Sequence, residues 1–102
     1  MHRGEVWWAD VPGDKRRPVV ILTRERFIPR LTSLLVAPIT TSVRDVPTEV
    51  ELDTSDGMPT HCAASLDNIF TLGVDRFIAP VTTLSEAHMR RVCAAYRFAA
   101  DC

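Results

Sequence analysis

Lysine is almost missing from this chain of 102 residues: Lys15 stands alone, and every other basic side chain is arginine. Arginine's planar fork can grip phosphate in two places where lysine cannot, although a GC-rich genome would leave the same bias. The 12 basic and 13 acidic residues leave a net charge of -1. That balance argues against a protein that coats nucleic acid wholesale and leaves room for a local basic groove. Cysteine is scarce as well. Cys62, Cys93 and Cys102 form an odd set without a CxxC spacing, so neither a zinc motif nor a disulfide framework follows. No apolar run is long enough to span a membrane, and residues 1–5 hold no apolar signal region. A reduced cytoplasm is the expected compartment. There is no internal repeat, low-complexity tract or linker, so residues 1–102 read as a single domain. A domain this short buries only about two-thirds of its unfolded surface, and a second subunit is a common source of further burial.

What is present is mostly short and strand-like. Residues 6–9 are apolar and aromatic, and Pro12-Gly13-Asp14 breaks them. Residues 18–23 are β-branched and apolar after a leading proline, which predicts a second strand buried on both faces. Residues 34–40 predict a third strand, whose Pro38 marks an edge or a bulge. After a polar loop at 43–47, residues 48–52 alternate between outward acids, Glu49 and Glu51, and inward Val50 and Leu52. Residues 53–57 form a turn signal. A fifth strand is expected at 62–66 and a last one at 77–81, while residues 67–73 are ambiguous and admit a short helical turn. Thr83 and Glu86 fit a capping box. Met89, Val92, Cys93, Tyr96, Ala99 and Ala100 then form one apolar helical face, with Arg90, Arg91 and Arg97 on the others. The expected fold is mainly β (α+β), a small β-barrel or strongly bent sheet with one C-terminal helix.

Four segments in order resemble the PemK/MazF family of toxins. They are Arg3-Gly4-Glu5-Val6-Trp7-Trp8-Ala9-Asp10; Arg17-Pro18-Val19-Val20-Ile21-Leu22; Val36-Ala37-Pro38-Ile39-Thr40-Thr41 followed by Pro47-Thr48-Glu49-Val50; and Leu66-Asp67-Asn68-Ile69-Phe70-Thr71-Leu72. Any one occurs by chance, but four in order across nearly the whole chain are specific. The resemblance implies an SH3-like barrel of about five to seven strands with a C-terminal helix, usually as a homodimer. It implies a toxin that cleaves single-stranded RNA through the substrate's own 2′-hydroxyl, leaving a 2′,3′-cyclic phosphate and a free 5′-hydroxyl, with no metal or cofactor. It also implies a cognate MazE-like antitoxin, whose acidic C-terminal tail would fill the basic groove.

By residue matching, Arg17 and Thr40 take the catalytic positions. The transition state gathers negative charge on phosphate oxygens, which an arginine fork and a strand-held hydroxyl are suited to meet. Pro18 restricts the backbone of Arg17 to extended conformations. Arg17 is expected to clamp phosphate and give a proton to the leaving 5′-oxygen, and the base for the 2′-hydroxyl stays open. The plain alternatives are a surface arginine paired with Asp14 or Glu49, and a threonine chosen for β-propensity. Lys15, Arg16 and Arg44 are candidate phosphate contacts. Thr41, Ser42, Asp67 and Asn68 are candidate readers of base edges, which single-stranded RNA exposes. His61 is the tempting base, but it sits in a loop with nothing to place it near Arg17; His2 and His88 have weaker claims. Cys62 reads as a small core residue. Trp7 and Trp8 must point to opposite faces of one strand, one toward a core and the other toward a base or a subunit interface.

One departure from the family is clear. Relatives commonly carry a longer loop, rich in Gly, Ser and Glu, between the first two strands. Here residues 12–16 remain, so the site is expected to be more open. The same fold resembles the CcdB-type toxins, which bind DNA gyrase without nuclease chemistry. That is the competing reading, and a catalytically dead module that sequesters antitoxin is a third.

Overall fold

The computed structural model describes residues 1–101, so Cys102 lies outside the described residues. The chain runs β1 (Glu5–Asp10), β2 (Arg16–Ile21), β3 (Ser33–Thr40), β4 (Glu49–Leu52), β5 (Cys62–Ser65), β6 (Phe70–Gly73), β7 (Phe77–Thr83) and α1 (Glu86–Ala100). Short 3₁₀ turns fill Glu25–Arg30, Thr54–Asp56, Leu66–Asn68 and Val74–Arg76. All pairings are antiparallel, in the order β4-β5-β3-β2-β1-β7 with β6 beside β3. This is the barrel-like β fold with a C-terminal helix expected from the sequence.

The ends of the sheet, β4 and β7, do not form a ladder with each other. They are bridged through the turn after β4, where the Thr82 hydroxyl donates to the Asp56 carbonyl at 3.1 Å. Gly57 ends that turn at φ 89, and a Cβ there would lie 2.4 Å from Thr82 Oγ1. Only glycine permits this approach and this backbone together.

Strand alternation divides the apolar side chains between two cores. Val6, Val20, Ala37, Ile39, Val50, Leu52 and Leu66 fill the barrel interior, where Val92 and Ala95 of α1 also pack. Ala9, Val19, Ile21, Leu34, Val36 and Leu72 form a second core on the outer face of the sheet, beneath Ile28 of the first 3₁₀ turn. β2 is therefore buried on both faces, as its β-branched run predicts. Trp7 joins the outer core, edge-on to Phe77 with centroids 6.1 Å apart, while Trp8 is 36% exposed.

Several expectations are corrected. Pro18 is the third residue of β2, before pairing with β3 begins at Val19; a missing N–H is tolerable where a neighbour is present on one side only. Pro38 marks no edge, because β3 is central. It lies between Val36, the last residue paired with β6, and Ile39, the first paired with β5. Thr83 does not cap α1, since it is still paired with Glu5 in the sheet. The chain leaves the ladder only afterwards, and the Ser85 side chain accepts from the His88 N–H instead. The buried face of α1 runs through Val92 and Ala95, flanked by Met89 and Tyr96, whereas Ala99 and Ala100 are exposed. Glu49 lies on the outward face of β4 as expected but is not open to solvent, its side chain being 1% exposed. Among the described residues no helix is long and apolar enough to cross a membrane.

Candidate functional site

Arg17 and Thr40 come from strands that converge. Both project from the outer face of the sheet, Arg17 in line with Val19 and Ile21, Thr40 in line with Leu34 and Val36. They meet in an open cleft of about 410 Å³ whose walls include Asp14, Ser42, Arg44, Glu49 and Asn68. Ser65 and Phe70 close its far side, and Pro38 lies between the two partners of β3.

Each polar group in the cleft is held by its own local structure. The Thr40 hydroxyl oxygen accepts from the Ser42 N–H at 3.0 Å. That leaves the hydroxyl proton free to be donated into the cleft. Arg17 Nε lies 3.0 Å from Asp14 Oδ2. The contact is an ion pair by distance only, for Arg17 Nε is buried and makes no hydrogen bond within the described residues. A buried donor of this kind is costly to leave unmet. The Asp14 carboxylate is fixed from its other side, where Oδ1 accepts from the Lys15 N–H at 2.7 Å.

Glu49 does a different job. Its Oε1 accepts from the Arg44 backbone N–H at 2.8 Å and its Oε2 from Arg44 Nε at 3.0 Å. The buried carboxylate thus pins both ends of one arginine, whose side chain remains 57% exposed at the rim. Asp45 follows in the left-handed region at φ 55. Asn68 Nδ2 donates to Ser65 Oγ at 2.9 Å, which leaves the amide oxygen for a ligand. The cleft therefore presents two guanidinium groups, a free hydroxyl donor and an amide around an opening, flanked by two carboxylates.

Of the residues singled out in the sequence, Arg17, Thr40, Ser42, Arg44 and Asn68 line this cleft. Lys15, Arg16, Thr41 and Asp67 do not. Lys15 is exposed in the turn before β2, Arg16 falls on the opposite side of β2 from Arg17, and Thr41 lies exposed just beyond the end of β3. The Asp67 carboxylate instead accepts from the Thr48 hydroxyl. The histidines are elsewhere: His61 pairs with Glu51 at 3.0 Å, His2 with Glu25 at 2.8 Å, and His88 lies 3.2 Å from Asp56. Cys62 is in the barrel core, where burial and then the nearby Asp56 and Asp53 carboxylates push its thiol pKa up. Asp14 and Glu49 were legible only as possible partners of Arg17. Among the described residues no three His, Cys, Asp or Glu side chains converge as a metal centre requires.

The chain is similar to known proteins over nearly its whole length. Residues 2–99 match the family described as PemK-like, MazF-like toxins of type II toxin–antitoxin systems. The chain is 42% identical over 101 residues to the probable endoribonuclease MazF5 of Mycobacterium tuberculosis (strain ATCC 25618 / H37Rv), covering 98% of this chain and 93% of the relative. Its fold is similar to that of the Mycobacterium tuberculosis toxin MazF-mt6, with a TM-score of 0.89 and 37% identity over 95% of this chain and 96% of that one. It is equally close in shape, at a TM-score of 0.89 and 26% identity, to a mycobacterial endoribonuclease solved in complex with its cognate antitoxin, covering 99% of this chain and 95% of that one.

Proposed function

The chain belongs to the PemK-like, MazF-like toxins of type II toxin–antitoxin systems, and on that premise we propose that it is an endoribonuclease that cleaves single-stranded RNA in the Arg17–Thr40 cleft. The observation that carries this reading is the convergence of the buried, unspent Arg17 Nε with the free Thr40 hydroxyl in one open groove. Arg17 and Thr40 both line this groove, and among the described residues neither the Arg17 Nε–H nor the Thr40 O–H is given to a protein acceptor in a hydrogen bond. A cleft with arginines at its floor and rim attracts a phosphodiester backbone before any base is read.

Cleavage proceeds by attack of the neighbouring 2′-oxygen on phosphorus. The P–O5′ bond breaks, leaving a 2′,3′-cyclic phosphate and a 5′-hydroxyl. Arg17 holds the non-bridging oxygens through its fork and supplies the proton for the leaving oxygen. Thr40 donates to the charge that builds on phosphate, and Arg44, fixed by Glu49, grips a flanking phosphate. Ser42 and Asn68 present groups to base edges. A gyrase-binding action of the CcdB kind is not favoured, because the matched family and the endoribonuclease named among the relatives point to RNA. We place the protein in the cytoplasm, as a homodimer, with an antitoxin whose acidic tail enters the same cleft.

The test is cleavage of a pool of single-stranded RNAs in EDTA, with the new ends mapped, beside Arg17→Ala and Thr40→Ala. Cuts at a short sequence with cyclic-phosphate ends are expected, and each variant should lose roughly 10²–10³ in rate. Intact RNA with folded wild-type protein would sink the reading.

A further inference from the structure

A second pocket, of about 720 Å³, lies between the residues that lead into β1 and one side of α1, with Arg3, Arg90, Arg97, Cys93, Glu25 and Glu86 in its walls. We propose that it is a second anion site, shaped for a phosphate group with three free oxygens. The inference goes beyond the ribonuclease reading and does not depend on it. None of these residues lines the cleft. The Gly4 N–H donates to the Ile21 carbonyl, so Arg3 joins the sheet four residues along β2 from Arg17, about 13 Å away on the strand. Among the described residues only two buried side-chain nitrogens or oxygens lack a hydrogen-bond partner. One is Arg17 Nε in the cleft, and the other is Arg3 Nη1. The Arg3 Nη2 donates to Cys93 Sγ at 3.2 Å, and a thiol is a weak acceptor. A half-buried guanidinium is thus held with no carboxylate on it, an arrangement that costs stability until an anion arrives.

The helix supplies two more guanidiniums. Arg90, Cys93 and Arg97 follow one another at helical spacing and form one stripe of α1. Arg90 stands about one turn before Cys93 and Arg97 about one turn after it, and Arg3 meets the sulfur between them. Among the described residues no ion pair involves any of the three arginines. A basic residue in the last turn complements the helix dipole, which accounts for Arg97 but not for Arg90 or Arg3. The two acids do not neutralise the group. Glu25 is engaged by the Arg3 backbone N–H at 3.0 Å and by His2 Nδ1 at 2.8 Å. Glu86 is the first residue of α1, where the positive end of the helix favours an acid. A carboxylate offers two oxygens in one plane and is met by a single fork. Three forks on one opening match a tetrahedral group with three free oxygens, as in inorganic phosphate or a phosphate monoester. A phosphodiester, with two free oxygens, matches less well, which separates this ligand from the RNA backbone.

Cys93 lies at the centre of the pocket and reports on its occupancy. The experiment follows alkylation of Cys93 by iodoacetamide, a neutral reagent, with peptide mapping to separate it from the other cysteines. Inorganic phosphate is compared with acetate at equal ionic strength. At ten times its Kd, phosphate should slow the reaction about tenfold, because modification then proceeds through the unoccupied fraction; acetate should not. Arg17→Ala should keep this protection, since the cleft is elsewhere. Arg90→Gln and Arg97→Gln, both exposed positions on α1 that leave the fold intact, should each lose most of it. Equal protection by acetate, protection that survives both glutamine substitutions, or no protection at any phosphate concentration overturns the proposal. A last arm identifies the source of the phosphate. In the Arg17→Ala protein, chosen to leave RNA uncut, an RNA with a 5′-phosphate is compared with the same RNA ending in a 5′-hydroxyl. Protection by the first alone assigns the site to RNA ends; equal behaviour of the two RNAs, with protection by inorganic phosphate, assigns it to a free phosphate.

Discussion

Removing the Glu49 side chain tests whether the cleft is built from a buried carboxylate outward. Glu49 makes two charge-assisted bonds to Arg44, but they are not equal. The backbone N–H is held in place by the chain and meets a carboxylate that is 1% exposed, whereas the guanidinium is on a flexible side chain that is 57% exposed. A hydrogen bond to a charged group contributes about 1.5–3 kcal/mol net. The guanidinium half, largely open to water and salt, contributes about 0–1 kcal/mol. Glu49→Ala should therefore cost about 2–4 kcal/mol, which for a domain of this size is a fall in Tm of roughly 10–25 °C. Arg44→Ala keeps the backbone bond and lets water reach the carboxylate, so it should cost only about 1–2 kcal/mol. In a double-mutant cycle read by urea denaturation, the coupling of the two side chains should stay near or below about 1 kcal/mol. If Arg44→Ala costs as much as Glu49→Ala, the stabilisation lies in the exposed ion pair and this account of the cleft is refuted.

Other expectations concern separate parts of the molecule. Gly57→Ala should destabilise by about 2–4 kcal/mol, from the left-handed backbone and the 2.4 Å clash with Thr82 Oγ1. Gly13→Ala, also at positive φ but with no atom within 4 Å of the added Cβ, should cost about 1–2 kcal/mol, so equal losses in thermal melts would contradict the contact. Burial pushes the Glu5 pKa up, but hydrogen bonds from the Trp7 indole and the His2 amide, with the nearby N-terminal and His2 charges, outweigh it and hold the carboxyl below its ordinary 4.5. The stability it contributes is complete above pH 4.5 and is lost as pH falls through the lower, folded value. Emission from Trp7 should change in the same acid window, a change absent from Glu5→Gln. Between Cys62 and Cys93, alkylation should reach Cys93 first, since Cys62 is 2% exposed with its thiol pKa raised; peptide mapping that finds Cys62 modified first would contradict its place in the core.

The strands were readable where one residue type settles the local physics. The β-branched run of β2 demanded burial on two sides, and alternation placed Val50 and Leu52 inward. Arg17 and Thr40 were reached only through resemblance, because nothing in a strand pattern distinguishes a reactive arginine from a solvated one. The two carboxylates escaped for opposite reasons. Glu49 follows the alternation of an outward acid, and only the return of the chain at Arg44 and Asp45 encloses it. Asp14 belongs to an ordinary turn, and its value depends on the hairpin register that puts Asp10 opposite Arg16 and so brings the turn back over Arg17. The helix cap was misplaced because Thr83 and Ser85 both suit the position. The deciding fact is that β1 still pairs with Thr83, which is a tertiary matter.

The cleft itself arises from the way β3 changes partners. β6 accompanies it from Ser33 to Val36, and β5 from Ile39 onward. Ala37 and Pro38 cross the interval with β2 alone beside them. An ordinary residue at Pro38 would bring one more N–H to a stretch short of partners, and proline has none to satisfy. The split separates the β5 end of β3 from its β6 end, and Ser65 at the end of β5 and Phe70 at the start of β6 both line the cleft with Thr40. A continuous partner strand along β3 would close that space. Pro38 is thus not a sign of an edge but a residue suited to a central strand that leaves one side unpaired between β6 and β5, and it lines the cleft together with Arg17 and Thr40.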